Sequence, residues 1–318
     1  MAGMRSAGLD EIRSVLDVPA AIELIEAGFV ALSSDAATVP PVGYLGFDTP
    51  PGECHIKYGH IHGDEVFVVK IATGFYENAS RGLPTGHGMM IVMSAETGET
   101  LALLDDSGYL TDVRTAIAGC IAARYLAPDV VECIGIVGAG VQARMQLQYL
   151  RHARDCNRVR VWARRREQSA AYRSELSDSG FDVQIAETLQ DLCENSNLIV
   201  TATAARSALV RGEWIRPGTH VTAMGSDAPG KQELDPALFA RAAICAVDSR
   251  SQCIDHGESH YAVAGGHVTE TGLVELGDII AGRARGRSNE DEITIADLTG
   301  VAVQDIQIAK AVWQALRE

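Results

Sequence analysis

The nine residues Gly135-Ile136-Val137-Gly138-Ala139-Gly140-Val141-Gln142-Ala143 constrain this chain more than any other stretch. An apolar run at 133–137 leads into them, and an amphipathic segment at 142–149 leads out. The spacing Gly138-x-Gly140-x-x-Ala143 is the glycine pattern of a strand-turn-helix unit that receives a dinucleotide. Gly138 permits the tight turn, Gly140 lets the backbone approach a pyrophosphate, and Ala143 lets helix pack on strand. The helix start adds unpaired N–H groups and a favourable dipole for phosphate. A glycine turn that binds nothing can share this spacing, so the flanking elements carry the reading. They agree with it, because apolar runs at 133–137, 159–163, 182–185, 198–203, 220–224 and 244–247 alternate with helical spacing. That alternation predicts parallel crossovers in a doubly wound, Rossmann-type sheet.

Upstream the pattern differs. Asp17 caps a helix with Pro19 in its first turn and Ile22, Ile25, Phe29 and Leu32 at helical spacing, ending near residues 33–35. A Pro- and Gly-rich stretch at 38–53 precedes short strand-like segments at 55–58, 66–71, 88–93 and 101–104, and a long helix at 111–126. Several strands after one helix predict a second unit. A strand-like segment at 293–298 and a closing helix at 301–316 fit either unit by pattern alone.

Where the second Rossmann strand ends, roughly twenty residues past the glycines, an NAD-selective site places a carboxylate on the ribose. This chain reads Val161-Trp162-Ala163-Arg164-Arg165-Arg166 instead. Guanidinium groups attract a 2′-phosphate through charge-assisted contacts, so Arg164 and Arg165 favour NADP(H), with NAD(H) left open.

Charge and cysteine content exclude other classes. With 42 acidic and 27 basic residues the net charge is −15, which repels nucleic acid. No apolar run approaches the about eighteen residues of a membrane span, and the start MAGMRSAGLDEIR lacks a leader's apolar core. A cytoplasmic protein is expected. Seven scattered cysteines without metal-ligand spacing read as reduced thiols, and His55, His60, His62 and His87 as surface or structural histidines.

Beyond the glycine turn, five ordered segments resemble the ornithine cyclodeaminase/mu-crystallin family. They are Val69–Asn78 with Lys70, Gly82-Leu-Pro-Thr85, Asp106–Ala116 with Arg114 and Thr115, Gly138–Ala143, and Met224-Gly225-Ser-Asp227 through Lys231 and Leu234. Within the family the chain looks most like the ectoine-utilisation cyclodeaminases. The resemblance implies a Rossmann domain, 128–294, inserted into a second α/β domain, 1–127 with 295–318, which binds substrate and forms a homodimer. It implies small α-amino or α-imino acid substrates and hydride exchange at the α-carbon.

Residue by residue, the resemblance makes Lys70 and Arg114 substrate-binding, with Arg114 also touching cofactor and Lys70 also serving catalysis. It makes Asp227 the acid/base, and Thr85, Thr115, Gly138, Gly140, Val141, Gln142, Thr203, Met224, Gly225, Lys231 and Leu298 cofactor-contacting. Residues 297–299 close the pocket, with Thr299 toward substrate. One departure stands out: the family's arginine after a proline pair is absent from Pro40-Pro41-Val42-Gly43-Tyr44. Lys57 is the candidate replacement.

Three functions share these residues. A reductase spends NADPH on an imino acid or cyclic ketimine. A cyclodeaminase borrows and returns the hydride while ammonia leaves. A binder keeps the nicotinamide without chemistry. The arginines after Trp162 favour the reductase; an acid/base group at Asp227 disfavours the binder.

Overall fold

The computed structural model describes residues 4–317 and divides into two compact units. One runs to Arg114 and resumes at Val301; the other spans Thr115–Gly300.

The first unit opens with β1 (Arg5–Gly8), α1 (Leu9–Val15) and α2 (Val18–Ser33). Asp17 caps α2 as expected, its carboxylate accepting from the Ala20 N–H at 3.1 Å. Strands β2 (Ala37–Thr38), β3 (Gly43–Asp48), β4 (Pro51–Ile61), β5 (Val66–Gly74), β6 (Gly86–Ser94) and β7 (Thr100–Asp105) follow. They form a sheet in the order β1-β7-β6-β5-β4-β2, with β3 also on β4. All pairs are antiparallel except β1 with β7. Helix α3 (Tyr109–Leu126) then leads out of this unit.

The second unit contains β8 (Ile134–Val137), α4 (Val141–Leu150), β9 (Arg158–Trp162), α5 (Arg166–Asp178), β10 (Asp182–Ile185), α6 (Leu189–Glu194) and β11 (Leu198–Thr201). It continues through β12 (Arg206–Val210), β13 (His220–Ala223), β14 (Gln232–Leu234), β15 (Ile244–Val247), α7 (Arg250–His256), α8 (Glu258–Ala264), β16 (Leu273–Glu275), α9 (Leu276–Ile280) and β17 (Thr294–Asp297). Eight of these strands make a sheet ordered β10-β9-β8-β11-β13-β17-β15-β16, parallel throughout. Strands β8, β11, β13, β15 and β17 are buried at every position, as expected when helices cover both faces. Strand order reverses between β8 and β11, and such sheets open a ligand crevice at that point. Helix α10 (Ala302–Ala315) returns the chain to the first unit, against α2 and strands β4, β5 and β6. Gly28 of α2 allows that approach, since a Cβ there would lie 3.0 Å from Gln307 and 3.3 Å from the Val303 carbonyl.

The structure redraws three details of the sequence reading. Residues 295–297 belong to β17, hydrogen-bonded between β13 and β15, so the chain rejoins the first unit at Val301 rather than at 295. Helix α3 does not lie wholly in the first unit, since the division falls inside it at Arg114. Strand β11 stops at Thr201, because the Thr203 N–H turns to the Glu233 carboxylate at 2.6 Å. Strands β1, β2, β3, β12, β14 and β16 escaped the reading, and two of them show why. Polar β1 is recruited by parallel pairing with β7, and β3 lies in the Pro- and Gly-rich stretch, where hairpin pairing with β4 overrides composition.

No helix among the described residues is long and apolar enough to cross a membrane.

Candidate functional site

In the second unit, Gly138 takes φ +120°, and a Cβ there would fall 2.5 Å from the Ala202 carbonyl, so only glycine fits this turn. Gly140 precedes α4 in an extended conformation with no side-chain cap, leaving the helix's first N–H groups open to an anion. A Cβ at Gly140 would meet nothing within 4 Å of protein, so its bareness serves what comes from outside. Ala143 is fully buried at the packing position. Around this turn is a cavity of about 660 Å³, whose walls include Gly138, Gly140, Trp162, Arg164, Thr203 and Arg206. No carboxylate lines it among the described residues. The cradle therefore has the size, bare backbone and cationic rim that a phosphate-bearing dinucleotide requires.

Of the two arginines expected here, Arg164 lines the cavity, whereas Arg165 is the N-cap residue just before α5 and is not part of the wall. Val141 and Gln142 lie at the start of α4, outside the lining. Thr203 is on the wall, its hydroxyl donating to Glu233 at 2.7 Å. Glu233 is buried and also accepts from the Thr201 hydroxyl and the Gly225 N–H. One carboxyl group thus pins Thr203 and Gly225, two positions expected to touch cofactor. Gly225 admits no Cβ, which would lie 2.2 Å from the Thr203 carbonyl. Met224 is buried beside it.

Asp227 and Lys231 follow β13 and form an ion pair at 2.6 Å, and the Asp227 side chain is 53% exposed. Leu298 and Thr299 are buried, and the Thr299 hydroxyl is held by Asp248 at 3.0 Å and Gln252 at 3.0 Å. Thr115 accepts on its carbonyl from Gln146 at 2.9 Å.

In the first unit, β5 buries alternate residues, and Lys70 continues the inward row of Val66 and Val68. A lysine in that row needs a partner. It finds Asp305 of α10, Nζ to Oδ1 at 3.0 Å, and the same oxygen lies 3.0 Å from Nε of Arg114 on α3. Gln304 secures the arginine further, accepting from Nη1 at 3.1 Å and donating to the Arg114 carbonyl at 3.3 Å. Lys57, half-buried on β4, stands opposite Lys70 in the strand register. Burial, reinforced by the Arg114 charge, pulls the Lys70 ammonium down to about 7, although Asp305 works the other way. Burial also opposes the Asp305 charge, but the Lys70 and Arg114 cations outweigh it and hold that carboxyl below its ordinary range. At the end of β7, Asp106 accepts from the Leu110 N–H at 2.6 Å and so starts the helix that bears Arg114; burial raises its carboxyl to about 6. Thr85 lies in the loop before β6, its carbonyl accepting from the Phe75 N–H at 2.8 Å.

The structure thus gathers Lys70, Arg114 and Lys57 in one unit, and the glycine turn, Arg164 and Thr203 in the other. The sequence reading overlooked Asp305, Gln304, Glu233 and Arg206. For the first two a signal existed, since Gln304-Asp305 interrupts the apolar run Val301-Ala302-Val303 before Ile306.

The profile of the Ornithine cyclodeaminase/mu-crystallin family matches residues 7–318. An uncharacterized cyclodeaminase of Sinorhizobium fredii is 40% identical over 312 residues, 97% of this chain and 94% of that protein. Among solved structures, an archaeal alanine dehydrogenase dimer with bound NAD superposes with a TM-score of 0.91 at 33% identity, covering 99% of this chain and 96% of its own. The Δ1-pyrroline-2-carboxylate reductase of Thermococcus litoralis, in complex with NADH and L-proline, gives 0.92 at 28% identity, covering 99% and 98%.

Proposed function

Because the chain belongs to the ornithine cyclodeaminase/mu-crystallin family, we propose that it reduces a small imino acid or cyclic ketimine at the expense of NADPH. It is an NAD(P)-dependent enzyme acting at the Cα–N bond of amino or imino acids. The observation that carries the substrate half is the buried cluster in which Lys70 and Arg114 share the single carboxylate of Asp305. With Lys70 protonated, two cations face the one carboxylate they share, and in a dry setting an α-carboxylate meets that surplus strongly. Lys57 adds charge on the neighbouring strand, where it takes over from the missing arginine after Pro41.

The glycine turn and the start of α4 would hold the dinucleotide, and Arg164 on the cavity wall would meet a 2′-phosphate. Once bound, the nicotinamide supplies the hydride. Asp227, paired with Lys231 and open to exchange, gives or takes the proton at the substrate nitrogen. The likeness to a cyclodeaminase of S. fredii favours a second reading, ammonia-releasing cyclisation of a diamino acid with no net use of nicotinamide.

The working form is a homodimer built through the first unit's sheet. Leu45 and Phe47 of β3, with Ile56 and Tyr58 of β4, are large apolar side chains exposed on one face of the sheet, which a lone chain seldom tolerates. Light scattering should read twice the 33.9 kDa chain mass, and Leu45→Asp should return it to one. The place of work is the cytoplasm, a reducing compartment that suits seven unpaired cysteines.

One panel tests the chemistry: ornithine, diaminobutyrate, alanine, pyrroline-2-carboxylate and piperideine-2-carboxylate, each with NADPH and with NADP+. Loss of NADPH with a cyclic ketimine is expected. Ammonia release at constant nicotinamide would instead establish the cyclodeaminase, and inertness toward all five would overturn both. With the active substrate, Arg164→Ala should raise KM for NADPH about tenfold or more and leave KM for NADH nearly unchanged.

A further inference from the structure

We propose that Asp305 is a positioning residue, the shared counter-ion that fixes Lys70 and Arg114 in the orientation that receives a substrate carboxylate. The inference rests on the substrate-binding role given above to those two cations, and concerns a residue of the closing helix that no motif in the sequence reading singled out.

The geometry is specific. Asp305 stands in the first turn of α10, 235 residues beyond Lys70, and is 1% exposed. Its Oδ1 accepts a hydrogen bond from Lys70 Nζ at 3.0 Å and lies 3.0 Å from Arg114 Nε in an ion pair without hydrogen-bond geometry, while Oδ2 is buried without a hydrogen-bond partner. Here one oxygen sets a common apex, so Lys70 from β5 and Arg114 from α3 converge from different elements. The adjacent Gln304 clamps the arginine at its guanidinium and at its own carbonyl, and its Oε1 also accepts from the Val301 N–H at 2.8 Å. Two consecutive residues of one helix thereby fix both cations, and the N-terminal dipole of α10 favours the Asp305 charge.

The charged groups around the Lys70 ammonium are Asp305 on α10, Arg114 on α3, Lys57 on β4 and, at the end of β7, Asp106. Arg114 and Lys57 push its proton off; Asp305 retains it. Without the Asp305 charge, Lys70 would lose its proton at lower pH and Arg114 would lose its apex.

The chain contains four lysines, Lys57, Lys70, Lys231 and Lys310, so labelling with [13Cε]lysine gives four resonances, and Lys70→Met assigns the one of interest. In Asp305→Asn the Lys70 titration midpoint should fall by about one pH unit or more relative to the wild type. An unmoved midpoint overturns the proposal. The titration needs no turnover, so a wild type inert toward every ketimine would sink the reductase reading while still deciding the role of Asp305. With the active substrate, KM for the imino acid should rise about tenfold or more, with kcat changed far less and NADPH binding, read by fluorescence titration, unchanged. Equal loss of NADPH binding would mean a general structural role and would overturn the proposal. Lys70→Met/Asp305→Asn, which folds without an unpaired buried lysine, closes a double-mutant cycle. Losses smaller than the product of the single losses are expected, and independent losses count against it.

Discussion

Lys70 and Arg114 in the first unit outnumber the carboxylate they share, whereas in the second unit Glu233, Glu258 and Asp297 are buried among hydroxyls and backbone N–H groups. Glu258 accepts from the Glu233 and Leu234 N–H groups at 2.6 and 3.0 Å, and Asp297 from the Ser259 N–H and hydroxyl at 2.8 and 2.7 Å. Burial raises these carboxyls, Glu258 to about 9 with help from Asp297, and Asp297 itself to about 6. Glu233 moves the same way and for the same first reason. The contrast separates two uses of a buried ionisable group. Where opposite charges are fixed beside it, as Lys70 and Arg114 are beside Asp305, the carboxylate keeps its charge. Where no opposite charge stands beside it, the group turns toward neutrality and acts as a pin for backbone loops.

The sharpest way to break this comparison is to remove one member of each region. Lys70→Met should lower kcat/KM for the imino acid by about two orders of magnitude or more, because an oriented, desolvated cation is lost. Its unfolding midpoint should hold or rise, since Asp305 keeps Arg114 and the surplus buried cation is gone. In the wild type, the same KM should climb as pH passes about 7 and Lys70 gives up its proton. A flat profile would remove Lys70 from substrate binding.

Glu233→Ala should show the reverse pattern, a stability loss of about 3 kcal/mol in urea denaturation, because Thr201, Thr203 and Gly225 would lose their shared acceptor. A variant as stable as the wild type would show that this carboxyl is no pin.

Asp297→Asn should change least, by about 1 kcal/mol, since the amide oxygen can still accept from the Ser259 N–H and hydroxyl as Oδ2 does. The pH dependence sharpens the point. A carboxyl raised from 3.8 to about 6 stabilises the native state at low pH, and that contribution is lost as pH rises through this window. Stability measured from pH 4 to 6 should therefore be flatter in the variant. An unchanged slope would mean that Asp297 is already ionised at low pH.

Legibility followed the range of the interactions. The glycine turn was readable because a positive φ at Gly138 and a bare helix start at Gly140 leave their mark within six residues of chain, residues 138–143. Asp17 at the head of α2 was readable for the same reason. Strand β3 was not, since its hairpin with β4 holds residues whose composition favours a loop. Arg164 and Arg165 looked equivalent in sequence; the turn from β9 into α5 sends only the first to the cavity wall.

The sequence by itself determined the alternation that makes a parallel sheet and the glycine turn with its bare helix start, whereas Lys70 and Arg114 were singled out by resemblance to the family. Periodicity, backbone conformation and side-chain chemistry are local properties, written into consecutive residues. The tertiary structure decided which charges meet. Asp305 reaches Lys70 across 235 residues because the chain rejoins the first unit at Val301 and lays α10 on the sheet that holds β5. That pairing depends on how distant segments pack, and the spacing of residues along the chain carries no record of it.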